Sequence, residues 1–233
     1  MSVELSPIIA GVMNWGVWDK NLNTNEFTHL INLFIENGIT TFDHADIYGG
    51  YTTEASFGKA LSESKIDRKK IQLITKCGIQ YTSENRPNNS IKHYEYSKDY
   101  IIWSAENSLK NLQTDYLDVF LLHRPSPLMQ ADEIAEAVSK LKADGKILSF
   151  GVSNFTSSQT ELLRQKTEIS FNQVQFSATH HEAMLDGSFD YMQIHNIKPM
   201  AWNPLGTVFR ENTDQTFRLR QLLAKLVEKY HIG

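Results

Sequence analysis

Apolar positions along the chain follow two alternating rhythms. At Phe27, Leu30, Ile31, Phe34 and Ile35 they recur at i, i+3 and i+4, the spacing of one helix face. Asn23 with Glu26 forms a capping-box pattern ahead of that stripe, and Gly38 follows it as a stop. The flanking runs 8–15 and 39–43 are short and apolar, as strands are. The alternation continues with a helix over 54–62 that turns Phe57, Ala60 and Leu61 inward, then a strand over 71–76. Ser97 can cap a helix reaching Leu112, with Ile102, Ala105, Leu109 and Leu112 inward, before a nearly continuous apolar strand at 117–122. A helix over 131–143 ends at Gly145, a strand follows at 148–152, and Thr156 with Gln159 opens a helix through Arg164. A strand at 171–175, a helix at 183–195 and a strand at 199–202 come next. The last helix aligns Leu219, Leu222, Leu223, Leu226, Val227 and Tyr230 on one face. Between these elements, 78–96 is polar, has no period and reads as a long loop.

Strands alternating with helices at this spacing predict a parallel sheet of right-handed βαβ units. Seven units are present, one short of a (β/α)8 barrel, which typically needs about 250 residues. The competing architecture, an open doubly wound sheet, usually carries a Gly-rich phosphate turn, and no G-x-G-x-x-G occurs here. The expectation is therefore an α/β chain of TIM-type (β/α)8 barrel class, its eighth unit missing, forming a single domain over 1–233. Charge narrows the partners. A formal net charge of −4 with scattered Lys and Arg offers no basic stripe for nucleic acid. Apolar runs such as 119–122 are too short to span a bilayer, and the N-terminus lacks a secretory signal pattern. The single cysteine, Cys77, forms no intramolecular disulfide and suits a reducing cytoplasm.

Candidate chemistry concentrates at three successive strand ends. Thr41 and Asp43 share a strand face, and Tyr48 follows five residues later. Lys76 ends the next strand and His123 the one after it, sharing faces with Ile74 and with Val119 and Leu121 respectively. In a barrel these ends converge on the face where active sites are built. Lys76, kept charged by Asp43, would then act on Tyr48 and lower its pKa, while His123 polarises a carbonyl oxygen. Each residue also has a plainer reading: a rim tyrosine, a snorkelling lysine, a hydrogen-bonded histidine, an aspartate capping a loop. Cys77 has the opposite parity to Lys76 and points towards the helices, which argues against a redox role. Trp15, Trp18 and Tyr81 lie in loops that either wall an apolar pocket or pack the rim. Adjacent His180, His181 and Glu182 are poorly placed to share one ion, so no metal is expected.

The sequence resembles the aldo-keto reductases, and its bacterial branch in particular. The matching stretches are FDHADIYGG from Phe42, TKCG from Thr75, SLKNL from Ser108, LLHRP from Leu121, GVSNF from Gly151, NQVQ from Asn172 and AWNPLG from Ala201. They run in family order across almost the whole chain. The resemblance implies Tyr48 as general acid, Lys76 and Asp43 lowering its pKa, and His123 placing the carbonyl of a small aldehyde or ketone. It implies a nicotinamide carboxamide held by Ser153, Asn154 and Gln173, with Trp202 stacked on the ring. Asn203, Leu205 and Gly206 would line the pyrophosphate path, and Gly11 and Met13 complete the cofactor positions. NADP(H) is the implied cofactor and NAD(H) the alternative, since nothing in 207–233 resembles the family's loop for the adenosine 2′-phosphate. Without that loop, weak cofactor affinity and poor stability are expected. The alternative reading is an inactive or non-enzymatic barrel used as a binding module.

Overall fold

A computed structural model describes residues 3–232. By its internal contacts the chain divides into two compact units, one ending at Ser170 and the other beginning at Phe171. The first contains β1 (Ile9–Gly11), α1 (Thr24–Glu36), β2 (Thr41–Asp43), the short turn α2 (Tyr48–Tyr51) and α3 (Thr53–Ser64). It continues through β3 (Gln72–Cys77), a hairpin of β4 (Ile79–Gln80) and β5 (His93–Tyr94), and α4 (Lys98–Leu112). β6 (Leu117–Leu122), α5 (Ala131–Ala143), β7 (Ile147–Ser153) and α6 (Ser157–Arg164) complete it. Its main strands pair in parallel in the order β1-β2-β3-β6-β7. In the second unit β8 (Phe171–Gln175) precedes a 3-10 turn (Glu182–Met184), α7 (Ser188–Ile194), β9 (Lys198–Trp202) and α8 (Asp214–Tyr230). β8 and β9 are also parallel.

Both capping boxes form: Asn23 Oδ1 accepts from Glu26 N–H and Thr156 Oγ1 from Gln159 N–H, each reciprocated. Elsewhere the tertiary structure overrides the pattern. The first strand is only three residues long, because the chain turns at Val12 to bury Trp15. That indole packs on Phe27, Phe34, Phe42 and Phe57, with centroids 5.5–6.3 Å away. Trp15 is thus mainly a core residue, and only its margin lines a cavity, beside Gly11, Met13 and Leu30. In α4 the fully buried residue is Ile101 rather than Ile102, and the Ser97 side chain makes no cap bond. The stretch 78–96 holds the β4–β5 hairpin instead of an unstructured loop. The helix expected at 183–195 is broken: Gly187 takes φ +81° and the Asp186 carboxylate caps Ser188 N–H at 2.8 Å. On α8 the apolar stripe is present but stays exposed, as at Leu222 and Tyr230.

At the amino ends of β3 and β6 in the first unit, one ion pair ties the turn before β3 to β6. Arg68 Nη2 donates to Asp118 Oδ2 at 2.6 Å, and the same oxygen accepts the Leu73 N–H at 2.8 Å. The guanidinium also bonds Thr114 Oγ1 and the carbonyls of Ile71 and Tyr116. Asp118→Ala strips Arg68 of its anion and leaves a buried amide without an acceptor. A loss of about 3 kcal/mol is expected, read as a lower urea midpoint; an unchanged midpoint would show the pair to be dispensable. Among the described residues no helix is long and apolar enough to cross a membrane.

Candidate active site

The carboxyl ends of β2, β3 and β6 bring four predicted residues together. Backbone pairing continues past the strand ends: His44 N–H donates to Ile74 O, Asp46 N–H to Lys76 O, and His123 N–H to Cys77 O, at 2.8–3.0 Å. These bonds hold Asp43, Lys76 and His123 in register. After β2 the chain folds into α2, where Gly49 and Gly50 take positive φ, and so carries Tyr48 back over the strand ends. Lys76 is almost fully buried, yet its ammonium satisfies all three donors. It donates to Asp43 Oδ1 at 2.7 Å, to the His44 carbonyl at 2.8 Å and to Tyr48 Oη at 3.4 Å. The rings of Tyr48 and His123 stand edge-on with centroids 6.1 Å apart.

Burial dominates the electrostatics. It works against the charge of Lys76, but Asp43 and Tyr48 outweigh it and the ammonium is held above its ordinary range. Burial lowers His123 well below its ordinary value, with Lys76 and Arg124 adding to the effect, so the imidazole is neutral. Its Nδ1 is buried without a partner. The phenol of Tyr48 behaves differently from the expectation. Burial raises it, Lys76 pulls it down, and Asp43 pushes it up again, leaving the net direction upward. The lysine helps the phenolate; the carboxylate that keeps the lysine charged does not.

Around this centre, Trp18 lies edge-on to Tyr48 at 6.1 Å, and Tyr81 packs on Trp18 at 6.4 Å, so Trp18 flanks the phenol and Tyr81 backs Trp18. Ser153 ends β7, and Asn154, at φ +62°, directs its amide to Ser153 Oγ and to the His123 carbonyl. Gly11 ends β1 with open space where a side chain would stand, and Met13 is exposed nearby in sequence. In the second unit Gln173 is buried on β8 and Trp202 ends β9. There Gly206 packs so tightly that a Cβ would meet Thr179 Oγ1 and Ser177 Oγ, while Leu205 is exposed. Arg210, which the sequence did not single out, donates to the Gly206 carbonyl and to Asn203 Oδ1. Also missed were the His44 carbonyl and the buried acid Asp46; a second acidic residue in the DHAD stretch was the available signal. Cys77 is a fully buried thiol pushed well above its ordinary range by burial. His180 pairs with Glu182 at 2.7 Å, and among the described residues no cluster of His, Cys, Asp and Glu is placed to hold a metal.

Residues 7–228 match the aldo/keto reductase family. The chain belongs to that family. An uncharacterized oxidoreductase of Bacillus subtilis, YcsN, is 47% identical over 225 residues, covering 95% of this chain and 74% of YcsN. The oxidoreductase YdhF of Escherichia coli is 43% identical over 232 residues, covering 99% of this chain and 76% of YdhF. Among solved structures, the holo form of aldo-keto reductase AKR11C1 from Bacillus halodurans superposes with a TM-score of 0.80 at 25% identity. That match covers 94% of this chain and 73% of AKR11C1. The fold class is the (β/α)8 barrel, with seven β/α units among the described residues, and the chain is an oxidoreductase of aldo/keto reductase type. The family acts on small carbonyl compounds with nicotinamide cofactors.

Proposed function

We propose that this aldo/keto reductase carries out NAD(P)H-dependent reduction of a small aldehyde or ketone, with Tyr48 as general acid. The observation that carries the reading is the three-way anchoring of Lys76 on Asp43, the His44 carbonyl and Tyr48 Oη. A buried ammonium fixed against a phenol has one evident use: to stabilise the phenolate left when the proton is given away. The donor chemistry beside it fits a nicotinamide carboxamide. A hydroxyl and a side-chain amide, Ser153 and Asn154, offer both donors and acceptors next to His123, with no formal charge on either. Gln173, Trp202, Asn203, Leu205 and Gly206, with Gly11 and Met13, are proposed as further cofactor contacts on family grounds, NADP(H) being the natural partner.

When bound, the reduced nicotinamide supplies the hydride that the carbonyl carbon accepts. Neutral His123 orients the carbonyl oxygen with one hydrogen bond. As negative charge gathers on that oxygen, Tyr48 releases its proton to it and Lys76 takes up the interaction with the phenolate. Trp18, edge-on to the buried phenol, covers one side of it. A free buried thiol and a reductive reaction both suit the cytoplasm. The test is aldehyde-dependent loss of reduced-nicotinamide absorbance, run with NADPH and NADH. Turnover that requires both the carbonyl compound and the cofactor supports the reading; a folded chain without such turnover against a panel of aldehydes sinks it.

A further inference from the structure

One buried acid beside this centre is left unused by that chemistry. Asp46 lies two residues before Tyr48 and is almost fully buried. Its Oδ2 accepts from Tyr100 Oη at 3.1 Å and from Ser104 Oγ at 3.3 Å, whereas Oδ1 is buried with no partner. A carboxylate would not rest with one oxygen dry and unbonded, but a neutral carboxyl tolerates it at far lower cost. The bonds then run outward. Gln80 Nε2 donates to Tyr100 Oη, and Asn89 Nδ2 donates to Gln80 Oε1 at 2.8 Å and to the Tyr81 carbonyl at 3.3 Å. Tyr81 packs on Trp18, and Trp18 on Tyr48. The path leaves the Tyr48 turn through a hydrogen-bond chain and returns to it through an aromatic one.

We infer that Asp46 is a positioning residue: as an uncharged acid it anchors the 79–94 hairpin stretch, through Tyr100 and Gln80, against the Tyr48 site, and its ionisation releases that stretch. The catalytic consequence rests on the reading of Tyr48 as general acid; the anchoring does not. Burial first, then the repulsion of Glu54, raises Asp46 from 3.8 to about 8 in the closed site. The groups facing it are Glu54 from α3, Tyr51 from α2, Cys77 from β3, Tyr81 and Arg86 from the hairpin stretch, Tyr96 just before α4 and Tyr100 in its first turn. Of these Arg86 is the cation, and it is engaged over the rings of Tyr51 and Trp103 at 4.7 and 4.3 Å. An opened, hydrated Asp46 returns to its ordinary value of 3.8 and so gives up a proton between 3.8 and about 8. The open form therefore gains population as pH climbs towards about 8, and gains no more above it.

Amide hydrogen exchange of the full chain, corrected for intrinsic rates, tests this across pH 6 to 9. Protection of Ile79, Gln80 and Tyr81 should fall by up to about tenfold per pH unit and level off near the upper end. Asp46→Asn, neutral at every pH, should keep its protection without that slope. Tyr100→Phe, which cuts the link and leaves the acid, should lose protection and slope together. An Asp46→Asn slope equal to wild type, or wild-type protection in Tyr100→Phe, overturns the proposal. In turnover, Tyr100→Phe should raise KM for a bulky aryl aldehyde several-fold more than it lowers kcat for a small one. An inactive but folded wild type would count against Tyr48 as the acid, and the exchange data would still decide the role of Asp46.

Discussion

Tyr48→Phe is expected to lower kcat for carbonyl reduction by roughly 100- to 10,000-fold while cofactor affinity stays near wild type. The ring remains, so the edge-on contacts with Trp18 and His123 persist. Lys76 gives up only its longest bond, the one at 3.4 Å, and keeps Asp43 and the His44 carbonyl. What disappears is the proton that must reach the oxygen as hydride arrives at carbon. Single-turnover rates on preloaded cofactor check this, and a Phe variant within tenfold of wild type would remove Tyr48 from the role of acid. Lys76→Met is the less clean variant. It strands the Asp43 carboxylate in a buried position, so lost activity and lost stability arrive together.

The pH dependence of kcat follows from the same geometry. Burial, Lys76 and Arg124 keep His123 neutral well below its ordinary value, so no acid limb from this imidazole should appear near pH 6.5. Tyr48 stays protonated through neutral and mildly alkaline pH, because burial more than offsets Lys76. A phenol with a raised pKa holds its proton in the ground state and releases it to an alkoxide, a much stronger base. A depressed pKa, anticipated from the neighbouring ammonium, is not what the closed site provides.

That anticipation failed for a physical reason that recurs across the chain. A neighbouring charge can be inferred from strand parity, since residues two apart share a face; this is how Asp43, Lys76 and His123 were legible as one constellation. Local motifs were legible too, because both halves of the Asn23 and Thr156 boxes lie within one helical turn. Burial depth is different, being a property of what packs from elsewhere. It decided the direction at Tyr48, the choice of Ile101 over Ile102, and the fate of Trp15, whose four aromatic neighbours come from α1, β2 and α3. The Asp46–Tyr100 bond joins residues 54 positions apart, and two-residue strands such as β4 and β5 carry no period to read.

Gly58→Ala is expected to be the most damaging single-methyl change to stability. Gly58 lies within α3, where exchanging Gly for Ala ordinarily gains about 1 kcal/mol of helix propensity. Here an added Cβ would stand 2.1 Å from the Asn111 carbonyl oxygen and 2.7 Å from the carbonyl carbon and Cα of Leu112. All three are backbone atoms at the end of α4, so no side-chain rotation relieves the contact and the helices must separate. Separation has a second cost. One turn earlier on α3, Glu54 is buried with Oε1 accepting from Thr75 Oγ1 at 2.6 Å and Oε2 from Asn111 Nδ2 at 3.5 Å. Moving α4 away weakens that second bond around an acid already raised by burial. Overpacking of this kind costs roughly 3 kcal/mol, which leaves a net loss of about 2 kcal/mol after the propensity gain and a fall of about 4–8 °C in Tm for a chain of this size. Ser62→Ala, at an exposed position of the same helix, serves as control and should move Tm little. A Gly58→Ala melt matching that control would mean that α3 and α4 approach less closely than their backbone contact indicates. Because α3 follows directly on the turn that presents Tyr48, a true separation should also lower turnover in the same variant at temperatures well below its melt.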